Sequence, residues 1–378
     1  MSKFDSIRPY YDTEVNEALC SSLNHPMLKA MMNFTFPETP DEIWKEQLKK
    51  THSIRDFQIN FVYQSIQKVL EKSSDGLTTS GFEKLEKNTP YLFISNHRDI
   101  ILDTSLLNVS LFDHGLIMTA SAIGDNLVKK DFVLKLSKLN RNFLVQRNLS
   151  PRELLQSSKL MSEYMYHLLG RENRSVWIAQ REGRTKDGND ATHQGVLKMV
   201  AMASDEENVM DFFKKLKVVP VSISYEYDPT DALKMPQLLA QAKDEVYIKE
   251  KNEDFITLLS GIIGQKKHIH IHVGDVIGSE LEFIKKQHEN TNKQIQALAN
   301  IIDDAILQNY KLWPTNYIAY DILNNTETFA LHYTKEEKQL FQRRFEMRID
   351  YDNPTIREGF LAMYANPVVN KMKYQDVK

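Results

Sequence analysis

From about residue 90 to residue 274 the chain repeats one pattern, a short apolar run followed by a longer stretch with helical spacing. The runs are YLFIS (91–95), GLIMTAS (115–121), NFLVQ (142–146), SVWIA (175–179), LKVVPVSIS (216–224) and HIHIHVG (268–274). Between them lie segments such as ELLQSSKLMSEYMYHLL (153–169), in which apolar residues recur at three and four. Strands that alternate with helices indicate an α/β fold. The expected architecture is a mostly parallel or mixed sheet flanked by helices, with helical extensions at both ends.

The flanks carry a different pattern. Residues 10–75 read as helical, with Val62, Ile66 and Val69–Leu70 at roughly helical spacing and Lys68 and Glu71 facing outward. A packing helix is the simpler reading of that stretch, and an amphipathic helix docked on a membrane is the sharper one. EKSSDGLTTSG (71–81) reads as a loop from its Ser, Thr and Gly content. After residue 280 the chain is again helical, through LANIIDDAILQNY and KEEKQLFQRRFEMRI. The expected division is a helical region over 1–85, the α/β domain over 86–280 and a second helical region over 281–378. No internal repeat or low-complexity tract interrupts it.

Composition narrows the function. The 378 residues are 42% hydrophobic, enough for a sizeable core. A net charge of -3 speaks against wholesale nucleic-acid binding, which needs excess Lys and Arg to neutralise phosphates. Cys20 is the single cysteine, so no internal disulfide forms and a reducing compartment suits the chain. No apolar run approaches the roughly 18 residues that cross a bilayer, and MSKFDSIRPYYDTEVNE lacks the apolar core of a signal peptide. A cytoplasmic protein is expected, one that would meet any lipid substrate from the membrane surface.

Two clusters carry candidate chemistry. YLFIS runs straight into Asn96, His97, Arg98, Asp99, Ile100, Ile101, Leu102 and Asp103. A His at a strand end beside two carboxylates suits general base work, since free imidazole titrates near pH 6.5 and a carboxylate on its other nitrogen sets the tautomer. The plainer alternative is a cap for the following helix. The second cluster, Arg181, Glu182, Gly183, Arg184, Thr185 and Lys186, follows SVWIAQ. It places three cations and a glycine beyond another strand, where α/β sheets bind ligands and where Arg can grip a phosphate. The alternative is a solvated turn. Arg147 after NFLVQ, and Val219, Pro220 and Val221 within a strand ending at Tyr225 and Glu226, are by themselves plain structure.

Other features carry less. His268, His270 and His272 alternate at a spacing that can bind metal, but they read more simply as the polar face of a strand whose Ile269, Ile271 and Val273 point inward. Arg343 and Arg344 read as a solvated face. There is no GxSxG elbow, P-loop or GxGxxG fingerprint.

Taken in order, the blocks NHRDIILD (96–103), FLVQR (143–147), EGRT (182–185) and VVPVSISYE (218–226) resemble the glycerolipid acyltransferase family. That family includes glycerol-3-phosphate and 1-acylglycerol-3-phosphate acyltransferases. Its pattern is NH-x4-D, a strand ending in Arg, EGTRS or EGGRS, and a VP-containing strand. IHVGDVI (271–277) is similar to the strand that closes the family domain, and the resemblance spans about residues 88–280. Two departures stand at the reacting centre. Five residues separate His97 from Asp103 where the family has four, and one residue is missing between Gly183 and Arg184. Asp99 is a nearer carboxylate, but Asp103 keeps the family's I-L-D ending. Arg98 after the His resembles the glycerol-3-phosphate branch, which often reads HRS there.

The resemblance implies a fatty acyl transfer that needs no metal, no cofactor and no covalent intermediate. His97 would take the proton of an acceptor hydroxyl while Asp103 supports the charged imidazole. Glu182, Gly183 and Arg184, with Arg147, would hold the acceptor phosphate, and Val219 and Pro220 would shape the acyl or acceptor pocket. The donor would be acyl-CoA or acyl carrier protein, and the acceptor glycerol-3-phosphate or 1-acylglycerol-3-phosphate in phospholipid biosynthesis. No nucleic-acid partner is expected, and the location implied is peripheral, on the inner face of the membrane. The rival readings are a non-catalytic lipid-binding relative and a thioesterase that activates water with the same His.

Overall fold

In the computed structural model of the chain, residues 2–376 are described, with side chains through Tyr374. Seven strands form one sheet: β1 (Ser74–Ser80), β2 (Leu92–Ser95), β3 (Thr119–Gly124), β4 (Asn142–Val145), β5 (Ser175–Ala179), β6 (Val218–Tyr225) and β7 (Lys267–Val273). Their order across the sheet is β1-β7-β6-β2-β5-β3-β4. The five strands β2 to β6 run parallel, whereas β7 is antiparallel to β6, with β1 parallel to β7. The sheet is therefore mixed, and the carboxyl ends of β2 to β6 share one edge.

The central strands are apolar because both of their faces are covered. Successive side chains alternate between the faces. Leu92, Ile94, Val176, Ile178 and Val218 join the core beneath helices Pro151–Gly170 and Thr291–Asn309. Phe93, Trp177, Val219, Val221 and Ile223 join the opposite core, beneath helices Tyr63–Ser73 and Leu102–Asp113. The N-terminal helices build a third cluster that takes in Phe132 and Leu139, and the C-terminal helices a fourth around Phe341, Phe345 and Phe360.

Two segments differ from the sequence reading. The stretch expected as a loop at 71–81 contains β1, which pairs with β7 from Ser74 to Ser80. An edge strand with one open face needs few apolar residues, so only Leu77 marks it, and Gly76 at φ +128° accompanies the register slip between Ser74 and Gly76. The third strand starts at Thr119, four residues later than its apolar run. Residues of the apolar run ahead of it, Leu116 and Met118, pack against the core and line the cavity described below, respectively.

Pro220 lies inside the buried strand β6, where a missing N–H is normally costly. Its nitrogen points the same way as its carbonyl, which accepts from Gly274 N at 2.9 Å, just past the last ladder pair of Val221 with Val273. No strand there requires the absent donor.

Candidate active site

The parallel strands deliver their carboxyl ends, and the loops beyond them, to one edge. β2 ends at Ser95, and Asn96 then locks the chain in place. Its amide donates to Ile223 O at 2.9 Å and accepts from Ile223 N at 2.8 Å, extending the sheet by a side chain. His97 follows. Its Nδ1 lies 2.8 Å from Asp103 Oδ2, in the first turn of helix Leu102–Asp113.

Asp103 is fully buried and fully engaged. Oδ2 also accepts from the backbone N–H groups of Arg98 at 2.6 Å and Asp99 at 3.0 Å, and Oδ1 accepts from the Tyr225 hydroxyl at 3.0 Å. Backbone N–H groups can only donate, so Oδ2 serves as an acceptor. An acceptor facing Nδ1 places the imidazole proton there and leaves the Nε2 lone pair free. No hydrogen bond among the described residues occupies Nε2. Trp177 meets the imidazole edge to face, with centroids 5.5 Å apart, and its indole N–H donates to Ser95 Oγ at 2.9 Å. The His97 side chain keeps 14% exposure, so the ring is held but open.

Asp99 does the other job open to a carboxylate in this turn. Its Oδ1 accepts from Ile101 N at 2.9 Å and Leu102 N at 2.8 Å, capping the start of the helix. Burial, with the nearby Asp103 charge, pushes its pKa above the usual carboxylate range. The one-residue longer spacing is absorbed in this turn, so that Asp103 still faces His97.

A cationic cluster lies beyond β5 and β6. Gly183 sits at φ +70° with open space around it, so glycine is required there by the backbone conformation rather than by a crowding neighbour. Arg184 donates to Thr230 Oγ1 at a long 3.3 Å. Thr230 donates in turn to Asp228 Oδ1 at 2.9 Å, and the buried Lys234 pairs with Asp228. Burial works against the Asp228 charge, but Lys234 and Thr230 outweigh it and bring the pKa to about 2. Burial, helped by Arg184 and Lys234, drives Lys186 down to about 7. Three cations thus crowd around one carboxylate, leaving a local excess of positive charge.

Arg147 and Glu182 pair with each other, and Arg147 N donates to Asp125 Oδ1 at 3.2 Å. Glu182 is therefore engaged by an arginine from the β4 side of the site. Arg98 is committed elsewhere, forking onto Asp190 at 2.7 and 2.5 Å. Burial opposes its charge, and Asp190 more than compensates. A small cavity of about 20 Å³ joins Arg98, Tyr225, Asp228 and Lys234. Val219 is buried in the core and Pro220 in the sheet, and neither lines a cavity beside the site.

On the other side of the turn a cavity of about 130 Å³ opens. Its wall is mostly apolar and includes Ile100, Ile101, Ile123, Leu127 and Leu258, with Thr104 on the helix that holds Asp103.

Asp190, Asp228 and Lys234 were not singled out from the sequence. The available signal was the place of Asp190 and Asp228 in loops beyond carboxyl strand ends, with Lys234 in the first turn of helix Asp231–Ala242 after β6. Arg344, expected on a solvated face, instead reaches Asp231 at 2.8 Å with only 12% exposure, while Arg343 stays exposed. Buried Asp231 needs a partner, and the tertiary fold supplies this one. On β7, Ile269, Ile271 and Val273 point inward, and His270 and His272 bond to Ser80 on β1.

Residues 76–224 match the family model described as Acyltransferase. The span takes in the His97 turn, Arg147, the 182–185 block and nearly all of β6. Among solved structures, the chain is similar to the 1-acyl-sn-glycerophosphate (LPA) acyltransferase PlsC from Thermotoga maritima, with 12% identity and a TM-score of 0.41, covering 77% of this chain and 92% of that one. No curated protein sequence matches the chain.

Proposed function

We propose that the acyltransferase domain carried by residues 76–224 moves a fatty acyl group from a thioester, of coenzyme A or acyl carrier protein, to the hydroxyl of glycerol-3-phosphate or 1-acylglycerol-3-phosphate. The observation that carries this reading is the open Nε2 of His97, on a turn flanked by an apolar cavity and by an under-neutralised cationic cluster. The ester formed on a glycerol phosphate presents those two chemistries, acyl chain and phosphate, on either side of its reacting oxygen.

The proposed steps assign a role to each of these groups. His97 Nε2 takes the proton of the acceptor hydroxyl as its oxygen bonds to the thioester carbonyl carbon. Asp103 stabilises the imidazolium without taking its proton. The tetrahedral adduct collapses, the C–S bond breaks, and the imidazolium returns the proton to the departing thiolate. Arg184 and Arg147 hold the acceptor phosphate, with Gly183 giving the loop its turn, Glu182 aiming Arg147, and Lys186 and Lys234 adding charge. The acyl chain lies along Ile100, Ile101, Ile123 and Leu258. Val219 and Pro220 support this edge from within the sheet. The domain works in phospholipid biosynthesis from the inner membrane surface, reached peripherally. No helix among the described residues is long and apolar enough to cross a membrane.

The test is mass spectrometry of products from purified protein supplied with acyl-CoA or acyl carrier protein and a panel of acceptors. Thiol release should require a phosphate-bearing acceptor and vanish in His97→Ala. Acceptor-independent release would make the protein a thioesterase. Activity unchanged in His97→Ala would remove the mechanism.

A further inference from the structure

The segment between β6 and β7 leaves and rejoins the sheet at the edge that carries His97, because those two strands are antiparallel. Within it, helix Glu253–Ile263 reverses the usual polarity of a surface helix. Its buried positions, Thr257 and Gly261, are small. Gly261 sits so close to the site turn that an added Cβ would fall 2.0 Å from the Asp99 carboxylate. Leu258 closes part of the apolar cavity, and Lys130 Nζ stands 4.0 Å from the Phe255 ring centre and ties the helix down. Facing outward are Ile256, Leu259 and Ile263, spaced at three and four, with Ile263 exposed by 68%. Just ahead, Val246 and Ile248 are exposed by 89% and 83%. A helix that packs through small residues and turns its large aliphatic side chains outward has an apolar stripe still to cover.

We propose that the outward face of helix Glu253–Ile263, with Val246 and Ile248, docks on a lipid bilayer and sets the cavity mouth against it. This rests on the reading that the substrate carries a long acyl chain. The occupant follows from continuity. The exposed stripe continues through Leu258 into the cavity wall that Ile100 and Ile101 form on the turn following His97, so surface and cavity form one apolar path, and a bilayer is where long acyl chains reside. The charges of residues 243–254 set the mode of attachment. Lys243, Lys249 and Lys251 are outnumbered by Asp244, Glu245, Glu250, Glu253 and Asp254, so apolar insertion rather than anionic-lipid attraction holds the helix.

Vesicle co-sedimentation of the full chain tests this, with pure phosphatidylcholine and with added phosphatidylglycerol, comparing wild type, Ile256→Asp/Ile263→Asp and Phe283→Asp. Phe283 is an exposed aromatic on helix Ser279–Gln287, which follows β7 at the opposite edge. Wild type and Phe283→Asp should bind both vesicles alike, and the double variant should partition at least about tenfold less. Transfer from a short, water-soluble acyl thioester without vesicles should stay unchanged in it. Equal binding by the double variant, binding only to phosphatidylglycerol, or no wild-type binding would overturn the proposal. A wild-type dimer that becomes monomeric in the double variant, with vesicle binding unaltered, would assign the face to a second copy and overturn it too. Absence of acyl transfer in any assay would count against the enzymatic reading alone.

Discussion

On the Asp103 side of His97 the polar groups are matched, whereas on the Arg184 side they are not. Asp103 accepts four hydrogen bonds, from His97, two backbone N–H groups and Tyr225. Across the edge, Arg184 makes one long bond to Thr230, and burial, with two neighbouring cations, weakens the hold of Lys186 on its proton. A matched buried network holds one geometry before any substrate arrives. A crowded set of cations is destabilising until an anion enters. Under the proposed function, the difference separates the group that must be preorganised for chemistry from the groups that await a charged ligand.

The largest effect should come from the matched side. His97→Ala should lower turnover about 10²- to 10⁴-fold with the melting temperature nearly unchanged. Asp103→Asn should cause a fall of the same order, because an amide NH₂ set against the Arg98 and Asp99 N–H groups cannot reproduce the acceptor and leaves the imidazole tautomer unsupported. Steady-state kinetics beside thermal melts would decide it. Near-normal turnover in either variant would break the comparison.

Arg184→Ala should act on the other side, raising the acceptor KM about 10- to 100-fold, the worth of a charge-assisted bond, while the donor KM holds. If the donor KM moved instead, the cationic cluster would serve the thioester. A smaller effect should follow pH. Lys186 is charged below about 7 and neutral above it in the empty site, so the acceptor should bind more weakly as pH rises through that value. Lys186→Met should flatten this part of the KM profile, and an unaltered profile would take Lys186 out of the phosphate site. The least effect belongs to Asp99→Asn. Asparagine also caps helices, so stability should change by about 1 kcal/mol at most and much of the activity should remain. A dead Asp99→Asn enzyme with an active Asp103→Asn would reverse the two assignments.

The strands that flank the site were legible because each, being covered on both faces, is apolar along its length, as in Leu92–Ser95 and Ser175–Ala179. β1 was not legible, since an edge strand with one open face leaves no such mark. Helix Glu253–Ile263 was not singled out from the sequence, and only the fold shows that Ile256, Leu259 and Ile263 face outward.

The sequence by itself determined what is local. His97 and Asp103 lie within one strand-to-helix turn, and the chain between them is too short to part them far. The choice between Asp99 and Asp103 was a matter of where each carboxylate points in that turn, and only the folded backbone decided it. Tertiary structure also decided which distant charges meet: Arg98 with Asp190, Arg147 with Glu182, and Arg184 with the Thr230 that leans on Asp228. Spacing along a chain restricts neighbours within a turn or two. The meeting of loops beyond different strands depends on strand order and direction, which hydrophobic pattern leaves open until the sheet is assembled.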